Sequence, residues 1–303
     1  MNTKATNTNV SAIGESQPGI AWLVGVTAMT MVAFAANSLL TRLALQTTSV
    51  DPATFTGIRL IAGAACLALL CVLRGQRLNA STQGLGSAVL LFIYVVAFSF
   101  AYRGMDTGAG ALVLFASAQL LMIGAGYWRG EKTNLWGVLL ALAGLIVFLA
   151  PSDAAPPLGY SILMLVAGIA WGGYSLLGRS GDDPVLGTAN SFVLTLSLVV
   201  ILLLFQRHAL HYDAMGMIYA ALSGCVTSAM GYVVWYWVRV RMAAITAGTV
   251  QLSVPVISAV LGVIVLGESL SIKSELAAIV VLLGVAITTR STRAASKGDS
   301  TAA

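Results

Sequence analysis

Charge is what this chain has least of. Only 9% of its 303 residues are Asp, Glu, Lys or Arg, while 58% are apolar. A typical soluble domain carries about 25% charged residues. A soluble protein of this size could not dress its surface with so few charges, so the apolar excess must face lipid. Carboxylates are missing where a coupled carrier would need them: none of the eleven acidic residues stands at the centre of an apolar run. Proton- and cation-coupled carriers usually keep one there, because an intramembrane charge is costly and is retained for use. Histidine is nearly absent. His208 and His211 lie three apart in a polar link without Cys or a carboxylate pair. They read as a solvated turn rather than a metal site, and no Ser-His-Asp or Cys-His set can be assembled at one depth. No G-x-x-x-x-G-K-[ST] stretch occurs, which excludes ATP hydrolysis by a P-loop. No cofactor is expected, and the chain is not read as an enzyme. The three cysteines, Cys66, Cys71 and Cys225, fall inside apolar runs as packing residues, not as a disulfide framework. Net charge is +5, but the basic residues are scattered over short turns. Phosphate binding needs a concentrated patch, so no nucleic-acid partner is expected.

What is present is a series of ten apolar runs, at roughly 18–44, 52–74, 83–103, 107–128, 133–150, 157–178, 184–205, 214–238, 242–266 and 272–290. Each holds about 18–27 residues, enough for a helix to cross a hydrocarbon layer of ~30 Å at about 1.5 Å per residue. The expected class is an all-α polytopic membrane protein with the lipid bilayer as its partner. Residues 1–17 are polar and lack the basic start and cleavage site of a signal peptide, so they read as a disordered tail. Residues 18–150 form a first five-helix repeat, 151–156 a Pro-rich link, 157–290 a second repeat, and 291–303 a second disordered tail.

The duplication is visible in the residues. Phe34-Ala-Ala-Asn37-Ser38-Leu-Leu-Thr-Arg42 returns as Trp171-Gly-Gly-Tyr174-Ser175-Leu-Leu-Gly-Arg179, 137 positions on. Asp51-Pro52 follows the first copy and Asp183-Pro184 the second. Gly130-Glu131-Lys132 and Gly267-Glu268-Ser269 each close an apolar run, and Gly144 and Gly284 sit in matching places beyond them. The period is too long for a solenoid and implies a duplicated domain. Lys and Arg in the turns set the orientation. With a cytoplasmic N-terminus, eleven fall inside and four (Arg42, Arg103, Arg207 and Lys273) outside, with Arg59 within the second run. Both termini are then cytoplasmic. Because five is odd, the two halves must cross in opposite senses, as an inverted repeat of the kind alternating-access carriers use.

These features together resemble the EamA-type branch of the drug/metabolite transporter superfamily, over about residues 18–290. The residues that carry the resemblance are the paired Gly-Glu closures, the Asp-Pro opening the second helix of each half, and Arg59 a few residues inside that helix. The second half departs, with Ser191 or Phe192 where a match to Arg59 would fall and Ser269 after its Gly-Glu. Within the superfamily the chain most resembles the aromatic amino-acid exporters. The resemblance implies a bacterial inner-membrane carrier. Because both halves are in one chain, a functional monomer is expected.

Polar and aromatic residues at membrane depth are the candidate substrate-binding residues. Phe34, Asn37 and Ser38 share one helix face, and Trp171, Tyr174 and Ser175 match them. Tyr94 and Phe98 pair in the third run, and Phe115 stands one turn before Gln119 in the fourth. Pro255 falls near the middle of the ninth run, where it cannot donate to the carbonyl of Gln251; Ser258 lies on the same face as Gln251. Gln251 and the kink either are satisfied by a neighbouring helix or line a substrate cavity. Ser and Asn also serve as glue between helices; as a set, these residues favour a cavity. Trp22, Trp128, Trp136, Trp235 and Trp237 lie near run ends and read as an interfacial belt. The lining has amides, hydroxyls and rings but no formal charge. It suits a zwitterion with a bulky apolar side chain better than a nucleotide sugar or a lipophilic cation.

Overall fold

The computed structural model describes residues 19–78, 84–128, 134–149, 156–177, 183–239, 241, 250–269 and 271–299. Among the described residues the regular structure is entirely helical, in ten rods. They are α1 (Ile20–Thr47), α2 (Pro52–Leu73), α3 (Leu85–Ala101), α4 (Thr107–Trp128), α5 (Leu135–Leu149), α6 (Leu158–Leu177) and α7 (Pro184–Phe205), then α8 (Ala214–Arg239), α9 (Ser253–Leu266) and α10 (Ile272–Asp299). Six of them, α1, α2, α4, α6, α7 and α8, are long and apolar enough to cross a membrane. The apolar parts of α3, α5, α9 and α10 are shorter, at 10–17 residues. A rod of seventeen residues spans about 25 Å, short of a full crossing. Residues 79–83, 129–133, 150–155 and 242–249, beside α3, α5 and α9, lie outside the described set, as do the first seventeen residues, most of the link between the halves, Gly130-Glu131-Lys132 and Arg179.

Local chemistry explains where helices begin. Asp51 and Asp183 are N-caps, each followed by proline at the first helical position, where a missing N–H costs nothing. Asp51 Oδ1 accepts from Ala53 N at 2.8 Å and Thr54 N at 3.0 Å; Asp183 Oδ1 accepts from Val185 N at 2.8 Å and Leu186 N at 3.2 Å. Each carboxylate also reaches into the other half. His211 N donates to Asp51 Oδ2 at 2.8 Å, and the Gln76 amide donates to Asp183. Burial pushes the Asp183 carboxyl up, but the hydrogen bonds from Gln76, Leu186 and Val185 outweigh it and hold it below the ordinary aspartate value.

This reciprocity runs through the packing. The helices α2 and α7, α4 and α9, and α5 and α10 pack on each other across the halves, α3 packs on α6 as α1 does on α8, and α4 on α6 as α9 does on α1. Glycines permit the closest of these approaches. A Cβ on Gly144 would stand 2.9 Å from Val281 N, and one on Gly284 would stand 2.8 Å from Ala141 Cα. Gly172 likewise lets α6 lie against the Ala118 carbonyl of α4 at 2.9 Å from a would-be Cβ. Small residues at such crossings let dispersion contacts hold helices together where lipid offers no hydrophobic drive. The outer surface is apolar, with Phe205, Ile264 and Ile146 largely exposed.

The helix α10 extends past Arg290 to Asp299. Residues 291–297 contain no Gly or Pro, and a nucleated helix adds residues cheaply until one intervenes. In the ninth run a single turn at Leu252, with helical dihedrals, separates the helical Val250 and Gln251 from α9, which starts at Ser253. The interruption falls where Pro255 cannot donate to the Gln251 carbonyl.

Candidate functional site

Five helices converge on one aromatic chamber. Phe34, Asn37 and Ser38 of α1, Tyr94 and Phe98 of α3, Leu114 and Phe115 of α4, Trp171 of α6 and Tyr232 of α8 line a cavity of about 10 Å³. That is room for about one water, so the chamber is closed. The Phe34 ring centroid lies 6.0 Å from Trp171, 6.0 Å from Tyr232 and 5.9 Å from Trp235, all edge-on. Trp171 lies 5.1 Å from Tyr94, 4.9 Å from Tyr232 and 5.8 Å from Tyr174.

The polar edge is wired through α8, which widens to a π-helix over Ser223–Met230. Such wide turns often mark functional positions. Here the segment presents Ser223, Thr227 and Ser228 to α1 and α2. Ser223 Oγ and Thr227 Oγ1 donate to Asn37 Oδ1 at 2.7 and 3.0 Å, and Asn37 Nδ2 donates to the Tyr94 hydroxyl at 3.4 Å. Gly224 makes the approach feasible, because a Cβ there would run into the Arg59 carbonyl oxygen.

Of the thirteen residues expected from the sequence, seven share this chamber: Phe34, Asn37, Ser38, Tyr94, Phe98, Phe115 and Trp171. Tyr174 packs behind Trp171. The other five lie apart. Gln119 Nε2 donates to Gln251 Oε1 at 3.4 Å, so the two amides serve each other. The Ser175 carbonyl accepts from Arg239, and Ser258 is buried in α9. Pro255 lines a second, larger cavity of about 600 Å³ between α4, α5, α9 and α10, whose rim carries Asp106 and Glu275. The helix α4 separates the two spaces, with Leu112 facing the larger and Phe115 the smaller.

A charge stands just behind this lining. Arg59 is fully buried directly behind the chamber. Its Nη2 donates to the hydroxyls of Tyr94 and Tyr232 at 3.3 and 3.5 Å, and its Nε to Ser228 Oγ at 3.1 Å. Its position early in α2 obscured this role; only packing turns it inward. Tyr232 was missed too, though the duplication hinted at it, since it stands 138 residues after Tyr94 in the third helix of the second half. Trp235 is buried against Phe34 rather than in the interfacial belt, whereas Trp22, Trp128 and Trp136 are exposed.

One end of the bundle is closed by a charged cluster. Arg42 lies 3.4 Å from Glu268 and 3.3 Å from Asp106, and donates to the carbonyl of Tyr102 at 3.0 Å. Glu268 accepts from Thr107 N at 2.8–2.9 Å and from Thr107 Oγ1 at 2.9 Å. Burial pushes the Glu268 carboxyl up; the Thr107 hydrogen bonds and Arg42 oppose that without cancelling it. The cluster ties the end of α1 to the start of α4 and to the α9–α10 turn.

A helical membrane protein whose two halves close on a polar, aromatic chamber has the build of a transporter for a small solute. The comparisons agree. Residues 158–290 match the model of the EamA-like transporter family. A protein of Pseudomonas aeruginosa described as uncharacterized is 44% identical over 265 residues, covering 86% of this chain and 92% of its own. The uncharacterized transporter YoaV of Bacillus subtilis is 21% identical over 79% of this chain and 88% of its own. A solved crystal structure superposes with a TM-score of 0.64 at 17% identity, over 90% of this chain and 99% of its own, and so shares the fold. The second half of the chain carries an EamA-like transporter domain, and the chain is a multi-pass membrane transporter.

Proposed function

We propose that the protein exports neutral amino acids with large, chiefly aromatic side chains across a bacterial inner membrane, by facilitated diffusion or exchange. The observation that carries this reading is the chamber itself: rings from α1, α3, α4, α6 and α8 around hydroxyl and amide groups, with no carboxylate among its described lining. Rings take up an apolar side chain, and a few convergent polar groups orient the rest. The absence of a carboxylate at depth favours movement down the solute's own gradient. The reciprocal helix pairing supports two inverted five-helix repeats that rock about the chamber in alternating access. Both halves lie in one chain, which supports a monomeric transport unit.

The test is counterflow of labelled phenylalanine, tryptophan and alanine through purified protein in liposomes, without pH, Na⁺ or voltage gradients, alongside Trp171→Ala. Exchange of the aromatic amino acids, reduced at least tenfold in the variant, is expected. Movement of nucleotide sugars with no amino-acid exchange would refute the reading. A second reading, a carrier of lipophilic cations, is favoured only by the 600 Å³ apolar cavity with Asp106 and Glu275 at its rim. Including a lipophilic cation such as tetraphenylphosphonium in the same panel separates the two.

A further inference from the structure

We infer that Arg59 is the anchor for a substrate carboxylate, and that the carboxylate rather than the ammonium is the indispensable part of the solute. This deepens the amino-acid reading and rests on it only for the choice of indole compounds as probes.

The guanidinium is buried without a counter-ion. Among the described residues no carboxylate lies within 4 Å of it. A charge removed from water in this way is expensive unless paired. What surrounds it is neutral: one serine hydroxyl, two tyrosine hydroxyls at long range, and the faces of Phe98 and Tyr94 with centroids 5.0 and 5.5 Å from Cζ. Rings attract a cation, but more weakly than an anion would. The set is also incomplete, because Arg59 Nη1 is buried with no acceptor.

A second orphan stands across the same cluster. Trp171 Nε1, on a ring that lines the chamber, is likewise buried without an acceptor. Both groups are pure donors. Two unmet donors beside one chamber call for a ligand that accepts hydrogen bonds, and a planar carboxylate matches the guanidinium fork best. In the closed chamber the hydroxyls of Tyr94 and Tyr232, 3.4 Å apart, share the single donor Nη2 and leave Nη1 over, so neither completes the fork. Entry of a solute must part these rings, which exposes Arg59 to the chamber. The amide oxygens able to accept from an ammonium are already engaged, with Asn37 Oδ1 accepting from Ser223 and Thr227, and Gln251 Oε1 from Gln119. The site therefore admits aromatic carboxylates that lack an ammonium.

The experiment is calorimetric binding to purified full-length protein in detergent. The probes are L-tryptophan, indole-3-propionate and tryptamine, with hexanoate and hexylamine as a non-aromatic pair. For the wild type, tryptophan and indole-3-propionate should bind within about tenfold of each other, and tryptamine at least about 30-fold more weakly, the range for a lost hydrogen bond to a charged group. Arg59→Gln, checked for monodispersity and helical content, should lose that preference. Should that variant fail to fold, Trp171→Phe keeps an aromatic ring, removes the N–H, and should weaken both indole carboxylates several-fold more than it weakens tryptamine. Tryptamine binding wild type as well as tryptophan does, or a carboxylate preference retained in Arg59→Gln, overturns the anchor and leaves amino-acid transport standing. Hexanoate and indole-3-propionate favoured over their amines, with tryptophan not bound, supports the anchor and sinks the amino-acid reading. Failure of every carboxylate to bind overturns both.

Discussion

Consider removal of the carboxylate of Glu268 by substitution with glutamine. The side chain is 4% exposed and that of its partner Arg42 13% exposed. Breaking a fully buried pair by deleting one partner costs about 3–5 kcal/mol, because a charge is left stranded. Here the loss is smaller. Glutamine still accepts from Thr107, Arg42 keeps Asp106 at 3.3 Å, and that carboxylate is 52% exposed and hence screened. The upward push of burial on Glu268 also shows that desolvation offsets much of the pairing. About 2 kcal/mol remains for either single variant, Glu268→Gln or Arg42→Gln, roughly a 30-fold change in the closed-to-open ratio at about 1.4 kcal/mol per tenfold. The double variant strands no charge, so its cost should fall short of the sum by about 1–2 kcal/mol. The assay is labelling of Ser38→Cys in the chamber by a membrane-impermeant maleimide applied to intact cells, with Cys66, Cys71 and Cys225 replaced. Each single variant should label roughly 30-fold faster than the parent, and the double variant less than the product of the two. Strictly additive effects would refute the reasoning, as would unchanged labelling in both singles, because the cluster then would not hold that end shut.

Other outcomes follow from particular contacts. Gly224→Ala should destabilise by about 1–3 kcal/mol through overpacking against the Arg59 carbonyl, whereas Gly187→Ala, with nothing near its would-be Cβ, should be neutral or slightly stabilising; unfolding midpoints in detergent compare them. Asp183 has a depressed carboxyl pKa, so its contribution is present above the ordinary aspartate value and lost as pH falls through the lower folded-state value. The stability gap between wild type and Asp183→Asn should therefore be open at pH 7 and close below about pH 4; a gap that widens on acidification contradicts the cap geometry. A single cysteine at Ser152, outside the described residues, should react with an impermeant thiol reagent in intact cells, as the basic-residue bias requires. Labelling only after lysis would reverse the orientation.

Composition alone determined that this is a membrane protein, and local chemistry determined where α2 and α7 begin: long apolar runs, Asp-Pro caps and scattered turn charges act over a few residues. The repeated pattern was legible for the same reason, since Asp51 and Asp183, and Gly144 and Gly284, recur in the sequence itself. Depth was legible as well, at about 1.5 Å per residue. Facing was not. A helix apolar all round carries no stripe to say which side turns inward, and partners from other helices decide it. Gln119 and Gln251 stand at similar depth to the chamber yet satisfy each other away from it, while Arg59 is turned behind Tyr94 and Tyr232 by the close approach of Gly224. The π-helical turn over Ser223–Met230, which aims Ser228 at Arg59 and Thr227 at Asn37, likewise exists only where α1, α2 and α8 pack together. One buried cation and its unmet donor are thus a product of tertiary packing, because the azimuth of a lipid-embedded helix is set by its neighbours and not by its own residues.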